Sequence, residues 1–69
     1  MKELVFVIHA DEDGGFWAEA EGLSITTQGD DLNELFEMIK DAVDGYFFDE
    51  PALKPKSIVW RFAQEVVPA

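Results

Sequence analysis

Cysteine is absent from this chain. That excludes disulfides and thiolate nucleophiles, and it removes the ligand a structural zinc site most often uses. Histidine is nearly absent as well, since His9 stands alone. The only serines, Ser24 and Ser57, are far from it in sequence, so no nucleophile–base pair is indicated and no catalytic residue is assigned. Cations are scarce. Five Lys and Arg face fifteen Asp and Glu, a formal net charge of −10. Such a surface repels phosphate backbones, so direct nucleic-acid binding is not expected, and it favours association with a basic partner. No apolar run approaches the roughly 18 residues a membrane-spanning helix needs. The start through Lys2 and Glu3 lacks the basic-then-apolar layout of a signal peptide, and the expected location is the cytoplasm. The only adjacent glycines, Gly14 and Gly15, lead into a strand-like run without a Lys, so no phosphate-cradling loop is present.

What the chain does have is apolar residues with clear periodicity. Nearly half of its 69 residues are hydrophobic, including six Phe, two Trp and one Tyr, which is the composition of a folded domain. The length allows a single domain over 1–69, with a thin core margin. The run 3–10, ELVFVIHA, is β-branched and aromatic and predicts a strand. Leu4, Phe6 and Ile8 face one way, and Val5, Val7 and His9 the other. DEDGG supplies a turn, because Gly accepts positive φ and Asp bonds nearby backbone N–H groups. FWAEAE then alternates Phe16, Ala18 and Ala20 against Trp17, Glu19 and Glu21, predicting an antiparallel second strand. LSITTQ reads as a short third strand ending at Gly29.

From Asp31 the period changes from 2 to 3.6. Leu32, Leu35, Phe36, Ile39, Ala42, Val43 and Tyr46 form one apolar stripe, with Asn33, Glu37, Lys40, Asp41 and Asp44 on the wet face. Asp31 and Glu34 have capping-box spacing, and Gly45 followed by Pro51 ends the helix between 45 and 49. DEPALKPK is a connection, and SIVWRFAQEVV (57–67) is a last strand. The order is β-β-β-α-β. A meander of three strands followed by a helical crossover predicts an α+β fold with a mixed four-stranded sheet in the order 3-2-1-4 and one helix on one face. A single helix covers only one face of that sheet. Val5, Val7, Trp17 and Val59 fall on the other and are the expected oligomer interface, most simply that of a homodimer.

Catalytic and metal readings of the acidic stretch fail on spacing. A calcium loop needs Gly at its sixth position and a bidentate Glu at its twelfth, whereas Gly14 stands fourth and Gly22 twelfth in the run from Asp11. The β-β-β-α-β order is the core of a ribonuclease-H-like fold, whose enzymes bind metals with carboxylates on strand one, the helix and strand four. Here strand one has no acid between Leu4 and Ala10, and strand four has none before Glu65. The carboxylates that two-metal phosphoryl chemistry requires cannot converge.

The segments DEDGGFWAEAEG and TTQGDDLNELFEMIKDAVDGYF together resemble the HicB family of type II antitoxins, over about Glu3 to Phe48, and the ending KPKSIVWRF is similar to its short stand-alone members. The resemblance implies a degenerate ribonuclease-H-like fold without nuclease activity. It also implies a partner, a basic HicA-type toxin that cleaves mRNA, and no cofactor. The C-terminal DNA-binding domain of many members is expected to be absent, and EGLSI replaces the family's proline-containing segment before strand three. The leading expectation is therefore a non-enzymatic antitoxin whose contact surface comprises Asp11, Glu12, Asp13, Trp17, Glu19 and Glu21, acids around one aromatic anchor. The alternatives are a homo-oligomerising protein of this fold with no toxin, and, further off, a residual metal-dependent nuclease.

Overall fold

In the computed structural model, residues 2–63 are described. Four strands and one long helix follow in the order β1 (Glu3–Ala10), β2 (Phe16–Ala20), β3 (Thr26–Gly29), α1 (Leu32–Tyr46) and β4 (Ser57–Phe62), with a short 3₁₀ turn at Pro51–Leu53. The sheet order is β3-β2-β1-β4, as expected: β1–β2 and β2–β3 are antiparallel, and β1–β4 is parallel.

The alternation of β1 and β2 sets the register. Phe6 pairs with Ala20 and Ile8 with Ala18, so large residues on β1 meet small ones on β2 under the helix. From the helix, Leu35, Ile39 and Val43 are fully buried and complete the core with Leu4, Phe6, Ile8, Ala18, Ala20, Ile25 and Phe47. Asp31 caps α1, its carboxylate accepting the Glu34 N–H at 2.8 Å. The reciprocal Glu34 bond of a full capping box is absent among the described residues.

Several expectations need correction. The third strand starts at Thr26 rather than Leu23, because the chain bends after Gly22, which adopts φ +82°. Ile25 nevertheless enters the core, and its carbonyl accepts the Ala20 N–H at 2.9 Å. The helix ends at Tyr46, inside the expected range of 45–49, although Gly45 is not itself the stop. Gly45 lies inside α1, and the end is set by Phe47, which is buried and donates its N–H to the Val43 carbonyl at 3.1 Å. Tyr46 ends the apolar stripe but is exposed. The described part of the last strand ends at Phe62, and the remainder of 57–67 from residue 64 lies outside the described residues.

One lateral feature matters for function. The α1 backbone comes nearest β3 and β2, and its buried residues share the core with Leu4, Phe6 and Ile8 of β1. β4 lies at the margin of that cover. The helix-side residues of β4 are therefore only partly covered, chiefly by the Phe36 ring, whose centroid is 4.6 Å from that of Trp60.

Candidate functional site

The open face of the sheet, opposite the helix, is built by register. Val7 pairs with Glu19 and His9 with Trp17 across β1 and β2, while Val5 pairs with Val59 and Val7 with Arg61 across β1 and β4. Thr26 and Gln28 of β3 continue the same rows beside Glu19 and Trp17. Strand alternation thus places Val5, Val7, Trp17 and Val59 on one face.

Their exposure is smaller than the pattern implies. Val7 is only 9% exposed and Val5 is half-buried, leaving Val59 as the exposed aliphatic member at 37%. The neighbours explain this. Trp17 is stacked on His9, with ring centroids 4.0 Å apart and planes inclined by 11°. The Arg61 guanidinium reaches over β1 to an ion pair with Glu21. His9 Nε2 lies 3.4 Å from a Glu19 carboxylate oxygen but without hydrogen-bond geometry. The face is a mixed polar and apolar surface rather than a bare hydrophobic one.

At the β1–β2 hairpin, Asp11, Glu12 and Asp13 are all exposed. Asp11 also holds the turn together, since its carboxylate accepts the Asp13 N–H at 3.1 Å and its carbonyl the Gly14 N–H at 3.1 Å. Gly14 and Gly15 take φ +94° and +79°, the left-handed region that the turn requires. The six residues read from sequence as the contact surface fall into two places. Asp11, Glu12 and Asp13 sit at the hairpin tip, with Trp17 and then Glu19 following on the open face of β2, and Asp11 and Trp17 line one surface cleft. Glu21 lies at the opposite end of β2, about 13 Å from Trp17 at roughly 3.3 Å per strand residue, and is already engaged by Arg61.

Sequence reasoning misses Asp30 and Glu34 as members of this acidic end. They share a cleft of about 410 Å³ with Asp11, Asp13, Phe16 and Gln28. A signal for them exists: β3 runs antiparallel to β2, so Gly29 pairs with Phe16 and the chain re-enters beside the hairpin tip just before α1 begins. Among the described residues, no group of three or more His, Asp or Glu side chains is arranged to hold a metal ion. No described helix is long and apolar enough to cross a membrane.

No family model matches the chain. No solved structure matches it either. Among curated proteins, a "UPF0150 protein" of Thermotoga maritima is 51% identical over 65 residues, covering 94% of this chain and 89% of the relative. A "UPF0150 protein" of Archaeoglobus fulgidus is 43% identical over 53 residues, covering 77% of this chain and 76% of the relative. With half its residues shared along nearly its whole length, the chain belongs to the UPF0150 family.

Proposed function

We propose that the protein is a non-enzymatic binding module of the HicB antitoxin type, with a degenerate ribonuclease-H-like fold, which neutralises a small basic toxin that cleaves RNA. The observation that carries this reading is the acidic end of the sheet. Asp11, Asp13, Asp30 and Glu34 gather around one cleft, with Glu12 and Glu19 close by and Trp17 as a half-buried aromatic anchor. Carboxylates so placed can occupy the cationic surface on which a ribonuclease holds phosphates. The resemblance of DEDGGFWAEAEG and the helix that follows to HicB sequences supports the same reading.

The reading is non-enzymatic because two-metal nuclease chemistry would need acids on the first and last strands. β1 between Leu4 and Ala10 and β4 from Ser57 to Phe62 carry no acid, and the wet-face acids of α1 point away from the sheet. Val5, Val7, Trp17 and Val59 lie together on the open face beside this acidic end. A second reading, a homo-oligomerising domain without a toxin, is favoured by the exposed aromatic residues on β4.

Co-expression with the product of the neighbouring gene, followed by size-exclusion chromatography with mass detection, separates the two readings. A stable heteromer, with a neighbour toxic when expressed alone, supports the antitoxin. Failure to associate overturns it. The surface is tested by Asp13→Lys combined with Glu19→Lys, which spares both the Asp11 turn and the Glu21–Arg61 pair. Affinity is expected to fall about tenfold or more, about 1.4 kcal/mol. An unchanged affinity would remove the acidic end as the contact surface.

A further inference from the structure

The sheet has two edges, and they are treated differently. β3 is four residues long, polar, and flanked by the helix. Short polar strands are the usual protection against unwanted pairing. Among the described residues, β4 has no such protection. It is six residues long, contains no proline, and presents Val59, Trp60 and Phe62 at 37%, 40% and 59% exposure.

The backbone of β4 alternates in a fixed phase. Ser57 donates to the Lys2 carbonyl at 3.0 Å and Ala63 to the Ile8 carbonyl at 2.9 Å. The odd-numbered residues of β4 therefore bond to β1, while the N–H and C=O groups of Ile58, Trp60 and Phe62 point away from the sheet. These three residues also project their side chains onto the helix side, beside Phe36.

We infer that β4 pairs antiparallel with β4 of a second copy of this chain, joining two sheets into one of eight strands about a two-fold axis at Trp60. A two-fold interface must be self-complementary, and this edge is. Centred on Trp60, the register sets Trp60 against Trp60 of the copy and Ile58 against Phe62, so every outward-bonding residue meets an apolar partner. On the open side Val59 meets Arg61, which keeps the two arginines from opposing each other.

Charge selects the same occupant. Residues 51–64 contain no Asp or Glu, in a chain of net charge −10, and hold three of its five cations. Two of those are already paired, Lys54 with Asp44 and Arg61 with Glu21. A basic partner finds no carboxylate along this strand. A second copy finds an apolar, nearly neutral edge like its own. The inference does not depend on the antitoxin reading, since it invokes no toxin and uses a different edge of the sheet.

The test applies size-exclusion chromatography with mass detection to the full chain, and amide hydrogen exchange read by NMR at micromolar and millimolar concentration. A dimer mass accompanied by protection of the Ile58, Trp60 and Phe62 amides is the expected result. In a monomer those three exchange quickly while Val59 and Arg61 stay protected. Phe62→Lys should weaken dimerisation by about tenfold or more, with an unchanged far-ultraviolet circular dichroism spectrum, and Glu19→Lys on the open face should leave it intact. If Phe62→Lys does not fold, the wild-type exchange pattern alone decides. A monomer at millimolar concentration overturns the inference. A dimer whose three outward amides remain unprotected overturns it too, because the copies then meet elsewhere, as on the open face.

Discussion

Gly29 and Gly45 show how differently the same residue can be used. A Cβ at Gly29 would lie 2.6 Å from the Leu35 nitrogen and 2.9 Å from its Cα, so the end of β3 passes against the first turn of α1 with no space for a methyl group. Gly45 sits in the helix with nothing within 4 Å of the same added atom. Replacing Gly29 by Ala forces backbone apart and should destabilise by about 1–3 kcal/mol. Replacing Gly45 by Ala removes unfolded-state freedom at no steric cost and should stabilise by about 0.5–1 kcal/mol. Urea denaturation of the two variants should give opposite signs. A Gly45→Ala variant that loses stability would mean the last helical turn is not formed there. Neither role is legible in the sequence. Gly45 follows an apolar stripe and reads as a stop signal, whereas burial of Phe47 carries the helix past it. The contact at Gly29 joins backbone segments whose approach depends on how the helix settles on the sheet.

Among the elements, α1 owes its start to one side chain. Asp31 is extended at φ −141°, and its carboxylate satisfies the Glu34 N–H, one of the four donors that a helix N-terminus leaves without an internal partner. Asp31→Ala should cost about 0.5–2 kcal/mol. The neighbouring Asp30 makes no cap bond, and Asp30→Ala should stay within about 0.5 kcal/mol. Thermal unfolding of the pair separates the cap from a general effect of removing an acid, since equal losses would assign both to charge. This cap, the change of period at Asp31 and the alternation along β1 and β2 are all readable, because each is a local pattern. The strand order follows from them, since a meander followed by a crossover leaves few sheets to choose from. The lateral position of α1 is not readable. An apolar stripe says that a helix packs, not which strands it covers, and here it favours β3 and β2. That choice leaves Trp60 and Phe62 exposed, while Val7, on the face expected to be bare, is closed off between Glu19 and Arg61. The acidic end is half legible for a related reason: Asp11–Asp13 stand out as a run, but Asp30 and Glu34 join them only through the return of β3.

For the molecule as a whole, a charge of −10 on 69 residues acts on three equilibria at once, and salt should move them in different directions. The folded state crowds like charges that the unfolded chain spreads apart, so screening favours folding. A screening gain of about 1 kcal/mol would raise Tm by about 4–8 °C in a domain of this size. Two copies approaching along β4 repel through their net charge but meet across an edge without acids, so salt should also strengthen dimerisation. A basic partner on the hairpin end is drawn in by those same charges, and raising salt should weaken its binding and slow its association. Measuring Tm, dimer dissociation and partner affinity across one salt series therefore tests the assignment of surfaces. If dimerisation weakened with salt alongside partner binding, the copies would be meeting through opposite charges, and β4 would be the wrong edge. If partner affinity rose with salt, apolar contact rather than the acidic end would carry it, and Trp17 with the valines of the open face would become the surface to dissect.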